Sequence, residues 1–203
     1  MNIGSWHSHL NGFEWIQYHR PDAWEEIVHI IRAVDAKKHR TKKSKEKTKA
    51  GKLLYSPKEI NSRMHEEFSK SQWHKSRTDH WVTDDYQLAQ SLLLLPVAQQ
   101  AGAIEAAGKE PIHSYNEIDF VKHKIAVEVQ LGKYSYIAHD LFGKHQAFFI
   151  SGTIDLAIEI LPMKRMQEEM SSGPGYFEFA LHMLASQGRG VPTVPLILIG
   201  IEP

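Results

Sequence analysis

One stretch near the middle of the chain, residues 117–131, places the strongest constraint on what this sequence can fold into. β-Branched and aromatic residues alternate there with polar ones, first over 117–121 and again over 125–131. A period of two is typical of β-strands. The pattern predicts a β-hairpin with one apolar face and a second face that carries Glu117, Asp119, Glu128 and Gln130.

The register of this hairpin decides whether its acidic residues meet. A two-residue loop at His123 and Lys124 places Asp119 opposite Glu128, whereas an odd-length loop would mix the polar and apolar faces. We therefore expect the even register, although His-Lys lacks the Gly or Asn that favours such turns. Directly opposed side chains have Cβ atoms roughly 4.5–5.5 Å apart. A divalent cation between the two acids would offset their repulsion, because hard cations prefer carboxylate oxygens.

The even register also places Glu117 opposite Gln130, and Ile118 opposite Val129 on the apolar face. The alternative interpretation is a solvated polar face, where acids and amides are ordinary. Acids in place of the usual Lys and Thr favour the metal site. A second pair of acids, Asp155 and Glu159, lies on one later strand about 13 Å apart by rise per residue. One ion could not bridge that distance, so we expect a polar strand face there.

The hairpin motif resembles the catalytic core of type II restriction endonucleases, whose common form is an acid, a spacer and (Asp/Glu)-x-Lys. This chain has Gln130 where most members have Lys, and Glu-Val-Gln is a variant found in the BamHI/BglII group. Residues 49–68, 153–162 and 171–178 are also similar to members of that group. The resemblance covers most of the chain. It implies a single-domain α/β fold, with a central mixed β-sheet flanked by helices, that acts as a homodimer.

The resemblance further implies Mg²⁺-dependent hydrolysis of double-stranded DNA at a palindrome centred on GATC, with four-base 5′ overhangs. Asp119 and Glu128 would hold Mg²⁺ together with the backbone carbonyl of Val129, and Gln130 would orient the attacking water. The same core also occurs in repair and junction-resolving nucleases, which remain an alternative. A non-catalytic DNA-binding protein is a second alternative.

Lys133 and Ser172 stand where BglII has Asn, and we expect them at the outer base pair of the site, with Ser171 beside them. Asn can pair bidentately with adenine, whereas Lys only donates and can meet N7 of either purine. This predicts a relaxed site, purine-GATC-pyrimidine. The alternatives are a surface lysine and a helix-capping serine.

Charge is distributed unevenly along the chain, although its net value is zero. Residues 37–52 hold nine Lys and Arg side chains against the single acid Glu46. We expect this basic arm to form an exposed loop or a frayed helical extension that contacts DNA phosphates through Lys42, Lys43 and Lys45. A merely solubilising loop is the alternative.

Composition limits the classes of protein and of metal site that the chain can represent. The absence of Cys from all 203 residues excludes disulfides and thiolate metal sites. The longest apolar run, 92–98, is too short to span a bilayer. Residues 1–20 show no charged-then-apolar signal pattern, so we expect a cytoplasmic protein. His7 and His9 have no evident third ligand, which favours surface histidines.

Sequence patterns place the other elements approximately. Periodicity and capping residues predict helices over 22–37, from Pro57, from Asp84 or Asp85 to 107 with a break at Pro96, over 134–145 and over 174–184. Strands are predicted over 153–161 and 194–201. Residues 1–20 and 73–81 are expected to be irregular.

Overall fold

The structure is a computed structural model that describes residues 1–44 and 50–203. Its contacts divide the chain into two compact units. The larger unit combines Met1–Lys75 with Ile118–Pro203, and the smaller unit is Ser76–Glu117. A single endonuclease domain stays a prediction. None of the helices within the described ranges has the length and apolar character needed to cross a bilayer.

Within the residues that the structure describes, the strands in chain order are β1 (Asn2–His9), β2 (Lys42–Lys43), β3 (Leu53–Leu54), β4 (His74–Val82), β5 (Ile112–Lys122), β6 (Ile125–Val129), β7 (Leu156–Pro162) and β8 (Leu196–Glu202). In the larger unit the hydrogen-bonded order is β1-β8-β7-β6-β5. Strands β6, β7 and β8 run parallel, and β1 and β5 are antiparallel to their neighbours. The predicted mixed sheet is therefore confirmed.

The helices are α1 (Gly12–His19), α2 (Pro21–Ala33), α3 (Pro57–Lys70), α4 (Tyr86–Leu92), α5 (Val97–Ala106), α6 (Tyr136–His139), α7 (His145–Ile150), α8 (Lys164–Gln167) and α9 (Phe177–Gln187). A 3₁₀ turn covers Ala36–His39. A π-helical segment, Asp140–Lys144, joins α6 to α7, so the three form one continuous helical stretch.

The sheet of the larger unit is buried on both faces, as parallel strands generally are. On one face Ile125, Val127 and Val129 belong to a core that includes residues of α2 and α3. On the other face Ala126 shares a core with residues of α6, α7 and α9. Glu128 has the parity of Ala126, so its side chain points to this second, helical side.

Local chemistry accounts for where α3 and α4 begin. The Ser56 side chain accepts a hydrogen bond from the Glu59 N–H at 3.4 Å, with Pro57 at the first helical position. The Asp85 side chain likewise accepts from the Leu88 N–H at 3.0 Å. The predicted break at Pro96 is confirmed, because α4 ends before it and α5 follows it.

Two segments expected to be irregular are ordered elements, so those predictions were wrong. Residues 1–20 contain β1 and α1, and residues 73–81 overlap β4. Both strands lie at edges of sheets and are only partly buried, so they lack the apolar periodicity by which strands are recognised. The described part of the basic arm contains most of a 3₁₀ turn, Ala36–His39, and the strand β2, which pairs with β3 just after the arm.

Candidate active site

The turn between β5 and β6 fixes the register of the hairpin. His123 and Lys124 both have positive φ, 52° and 61°, as a two-residue type I′ turn requires. Phe120 then pairs with Val127, and Lys122 with Ile125. The even register is therefore confirmed, even though neither turn residue is Gly or Asn.

Asp119 and Glu128 meet where regular pairing of the two strands ends. The Asp119 N–H donates to Oε1 of Glu128 at 3.0 Å, and the Val129 N–H donates more weakly to Oδ2 of Asp119 at 3.4 Å. Each carboxylate thus accepts a hydrogen bond from a backbone N–H of the opposite strand, in the place where a backbone carbonyl would accept it in a regular ladder. The expected pairing of Ile118 with Val129 was wrong, because the two side chains lie in opposite cores. The side-chain alternation of β5 breaks at Asp119.

Glu128 lies in an environment that disfavours a lone negative charge. It is 4% exposed. Burial and the neighbouring Asp119 carboxylate raise its pKa to about 8, against the opposing effect of Lys144. The Asp119 side chain is a quarter exposed, and Nε2 of His65, on α3, lies 3.8 Å from its Oδ1. The pair therefore combines a buried acid with one that solvent can reach.

A buried ion cluster that sequence analysis missed surrounds Glu128. Nζ of Lys144 lies 2.9 Å from Oε1 of Glu128 and 2.7 Å from Oδ1 of Asp140. Burial alone would lower the pKa of Lys144, but the two carboxylates raise it above its ordinary value, so the lysine stays protonated. The signal available in the sequence was an Asp and a Lys four residues apart in a predicted helix, a spacing that brings them together.

Gln130 is oriented by the same cluster. Its Nε2 donates to Oδ2 of Asp140, and its Oε1 accepts from the Gly132 N–H at 3.1 Å. Its backbone N–H bonds to the carbonyl of Ile160. The amide therefore has a defined orientation, with one side-chain N–H left over as a donor. Glu117 belongs to the smaller unit, and its pairing with Gln130 stays a prediction.

The second pair of acids separates into two unrelated environments. Asp155 is close to the surface, 3.7 Å from Nζ of Lys124. Glu159 is fully buried, and its Oε2 lies 2.8 Å from Nε2 of His145, which is also fully buried. The expectation of a polar strand face was wrong at Glu159, because α7 covers that side of β7. The two acids do not form a common site.

The Asp119–Glu128 pair fits a hard divalent cation by the chemistry of its donors. Two carboxyl groups meet there, a cation would favour the ionised form of both, and the carbonyl oxygen of Val129 directly follows Glu128 in sequence. That carbonyl accepts from the Leu131 N–H at 3.1 Å, which leaves one lone pair. No group of three or more His, Asp or Glu side chains suited to a metal ion occurs in the described ranges. A donor set this small suits Mg²⁺, which keeps several of its waters.

The loops that carry Lys133 and Ser172 pack against each other. Lys133 is exposed after β6, and Ser171 and Ser172 are exposed before α9. Beside them, Tyr134 stacks on Phe179 of α9 with ring centroids 4.5 Å apart. A Cβ atom on Gly175 would overlap the side chain of Ile137, so only Gly allows this approach. We call residues 131–135 and 171–176 the recognition loops, after the role that the sequence resemblance predicts for them.

The basic arm is joined to the second recognition loop. Tyr55 lies directly after β3. Its backbone carbonyl accepts a hydrogen bond from the Ser171 N–H at 2.9 Å, and its backbone N–H donates to the Glu169 carbonyl at 2.8 Å. Lys42 and Lys43 are exposed on β2, with Lys42 Nζ 3.8 Å from Oε1 of Glu59. Lys45 lies outside the described residues. The two described lysines are therefore carried by a segment bonded to the loop of Ser171.

Comparisons with known proteins bear on the family and the fold of the chain. No curated protein matches the chain. A crystal structure of the restriction endonuclease BglII complexed with a DNA 16-mer has a similar fold, with a TM-score of 0.68 and 21% identity over 100% of this chain and 79% of that one. A crystal structure of free BglII has a TM-score of 0.58 and 17% identity, over 100% of this chain and 80% of that one. The family model described as restriction endonuclease BglII/BglIII matches residues 5–201. The chain therefore belongs to the BglII/BglIII family and is a type II site-specific deoxyribonuclease.

Proposed function

We propose that this enzyme hydrolyses DNA phosphodiester bonds with Mg²⁺ held by Asp119, Glu128 and the carbonyl of Val129. The observation that carries the proposal is the meeting of the two carboxylates, one buried and one reached by solvent, at the end of the β5–β6 pairing. A bound Mg²⁺ supplies charge stabilisation at the phosphoryl group and a lower pKa for its water.

The chain's own residues then orient the reacting groups. Gln130 offers one free N–H, and we assign it to the attacking water or to a phosphate oxygen beside it. Gln has no charge and is not a base near pH 7. The side-chain amide of Gln130 is held by its hydrogen bonds with Asp140 and Gly132, and this supports a role as a hydrogen-bond donor of fixed orientation. Asp119, which is partly exposed, is the ligand that faces the incoming phosphate.

The proposed substrate is a palindrome centred on GATC, with a purine and a pyrimidine at its outer positions. The enzyme would act as a homodimer, since a palindrome suits a protein with two-fold symmetry. The family resemblance implies that it leaves 5′ overhangs. Support comes from Lys133 and Ser172, which lie exposed on adjoining recognition loops. In sequence the chain resembles BstYI, a relative with this specificity. Ser171 is assigned to the same region of the DNA.

Phosphate contacts are proposed for Lys42 and Lys43 on the ribbon, and for Lys45. Such contacts give affinity without sequence preference and make it depend on salt. The backbone hydrogen bonds between Tyr55 and residues 169 and 171 support a role for the arm beside the second recognition loop. We place the enzyme in the cytoplasm as part of a restriction–modification system.

Digestion of plasmid DNA of known sequence tests the proposal. With Mg²⁺ we expect discrete fragments that end at GATC-centred sites, and no cleavage in EDTA. Asp119→Asn should lower the cleavage rate by at least about 10³-fold, because the metal ligand is lost. Circular dichroism checks that this variant folds. A smear, or cutting only at branched DNA, would identify a repair or junction nuclease, and salt-sensitive binding without scission would identify a DNA-binding protein.

A further inference from the structure

Asp140 and Lys144 connect the side chains of Glu128 and Gln130 on the helical side of the sheet. Lys144 bonds to the Glu128 carboxylate at 2.9 Å and to one oxygen of Asp140 at 2.7 Å. The other oxygen of Asp140 accepts from the Gln130 amide. Glu128 and Gln130 are therefore linked through two residues of one helical segment.

Such a cluster is costly to bury. Asp140 is 2% exposed and Lys144 9% exposed. Charges removed from water lose solvation that their mutual attraction often fails to recover, and apolar residues of similar volume are frequently as stable. A buried cluster of this kind is therefore weak evidence for a stabilising role.

The backbone at the cluster is also unusual. Asp140–Lys144 is a π-helical turn inside an otherwise α-helical stretch. Such turns are rare and occur frequently at functional sites. The wider turn carries both charged side chains of the helix that face the acidic hairpin.

We propose that Lys144 and Asp140 are positioning residues for DNA cleavage: Lys144 fixes the Glu128 carboxylate for the metal ion, and Asp140 fixes the Gln130 amide. The inference rests on the proposed function, which makes Glu128 a metal ligand. Lys144 balances the acidic pair before a cation and DNA arrive, and Asp140 keeps the free N–H of Gln130 in one direction.

This arrangement has a consequence for metal binding. The positive charge of Lys144 repels a cation at the Glu128 carboxylate through a poorly solvated environment, where Coulomb interactions are strong. Removing that charge should strengthen cation binding while Glu128 and Gln130 lose their fixed positions. Binding and catalysis should therefore change in opposite directions, which a general loss of stability would not produce.

The test measures Mn²⁺ binding to the DNA-free protein by titration calorimetry, and single-turnover cleavage in Mg²⁺. Lys144→Met keeps the side-chain length and removes the charge. It should bind Mn²⁺ at least about fivefold more tightly and cleave at least about tenfold more slowly. Lys144→Arg keeps the charge and should retain the Mn²⁺ affinity within about twofold. Lys70→Met removes an exposed helical pair with Glu67 and is the matched control.

A folded Lys144→Met protein with the Mn²⁺ affinity and cleavage rate of the wild type would overturn the inference. If this variant does not fold, the double variant Asp140→Asn/Lys144→Met preserves the net charge. It should also bind Mn²⁺ more tightly and cleave more slowly, because Lys144 bonds to Glu128 directly, and wild-type values would overturn the inference. Wild-type protein that neither binds Mn²⁺ nor cleaves DNA would instead refute the proposed function.

Discussion

Glu128 and Glu159 are paired in the parallel register of β6 and β7, and both point to the helical side of the sheet. Each acid has a separate partner there, Lys144 for Glu128 and His145 for Glu159. Burial raises the pKa of Glu159 well above its ordinary value and lowers the pKa of His145 to about 3. Both shifts favour the neutral forms of Glu159 and His145, whereas Glu128 lies beside the buried charges of Lys144 and Asp140.

A neutral Glu159 should tolerate an amide. Glu159→Gln has the shape of the protonated acid and can donate to His145, so we expect the free energy of unfolding at pH 7 to change by less than about 1 kcal/mol. Glu159→Leu leaves the buried imidazole without its partner and should cost about 1–3 kcal/mol. Urea denaturation of the three proteins measures both values. Equal losses for Gln and Leu would mean that Glu159 is ionised in the folded protein.

The raised pKa of Glu128 predicts how stability varies with pH in the metal-free protein. Its folded pKa, about 8, lies above the ordinary value of 4.5, so the folded state holds the extra proton between these limits. This contribution is complete below pH 4.5 and is lost as the pH rises through 8, by on the order of 5 kcal/mol at most. The free energy of unfolding, measured in EDTA, should fall over this window.

Glu128→Gln is the control for this pH dependence, because its side chain does not titrate. The difference in unfolding free energy between wild type and Glu128→Gln should therefore shift in favour of the variant from pH 4.5 to pH 8. Mg²⁺ should restore stability to the wild type at pH 8, since a ligand that binds only the folded state stabilises it. Parallel pH curves for the two proteins would contradict the prediction.

The approach of Gly175 to Ile137 predicts a steric defect. Gly175→Ala would place a Cβ atom into the Ile137 side chain, and overpacking of this kind costs about 1–3 kcal/mol. Gly173→Ala, two residues earlier, meets only the end of the Gln167 side chain at 3.9 Å and should leave stability unchanged. Thermal unfolding distinguishes the two variants. Truncating Ile137 to Val in the Gly175→Ala background should recover part of the loss.

Replacing Lys133 and Ser172 with Asn should narrow the sequence preference. Asn can bond bidentately to adenine, and one such pair discriminates against the wrong base by about 1–3 kcal/mol. The double variant should therefore cleave sites with adenine as the outer purine faster than sites with guanine. Relative kcat/KM on GATC sites flanked by each of the four bases measures the effect. Undiminished cleavage of both purine-flanked sites would assign base recognition to other residues.

The two described lysines of the ribbon should contribute to affinity without affecting sequence preference. If each contacts one phosphate, Lys42→Ala and Lys43→Ala should each reduce the slope of log K against log salt by about 0.9. Lys70→Ala, on an exposed helical surface, should leave the slope unchanged. Fluorescence anisotropy with a duplex in a series of salt concentrations gives these slopes. A weaker affinity with the same slope would exclude a direct phosphate contact.

Prediction from sequence succeeded where one local pattern decided the outcome. The alternation over residues 117–131 predicted the hairpin and its register, because a shift by one residue would have mixed the polar and apolar side chains on each face. Ser56 with Pro57, Asp85 and Pro96 located helix boundaries, because their effects depend only on neighbouring backbone groups. Prediction failed for β1 and β4, where the residues that pair with each strand are distant in sequence.

The sequence by itself determined the hairpin and its register, which follow from a period of two and a short turn, and it carried the family motif whose resemblance implied the mixed sheet. Only the tertiary structure decided which groups surround the buried acids Glu128 and Glu159. Lys144 reaches Glu128 because α6 and α7 pack across β6, and the pKa of Glu159 is raised because the same helices exclude water from β7. Solvation and charge depend on every element packed around a group, and no local pattern contains that information.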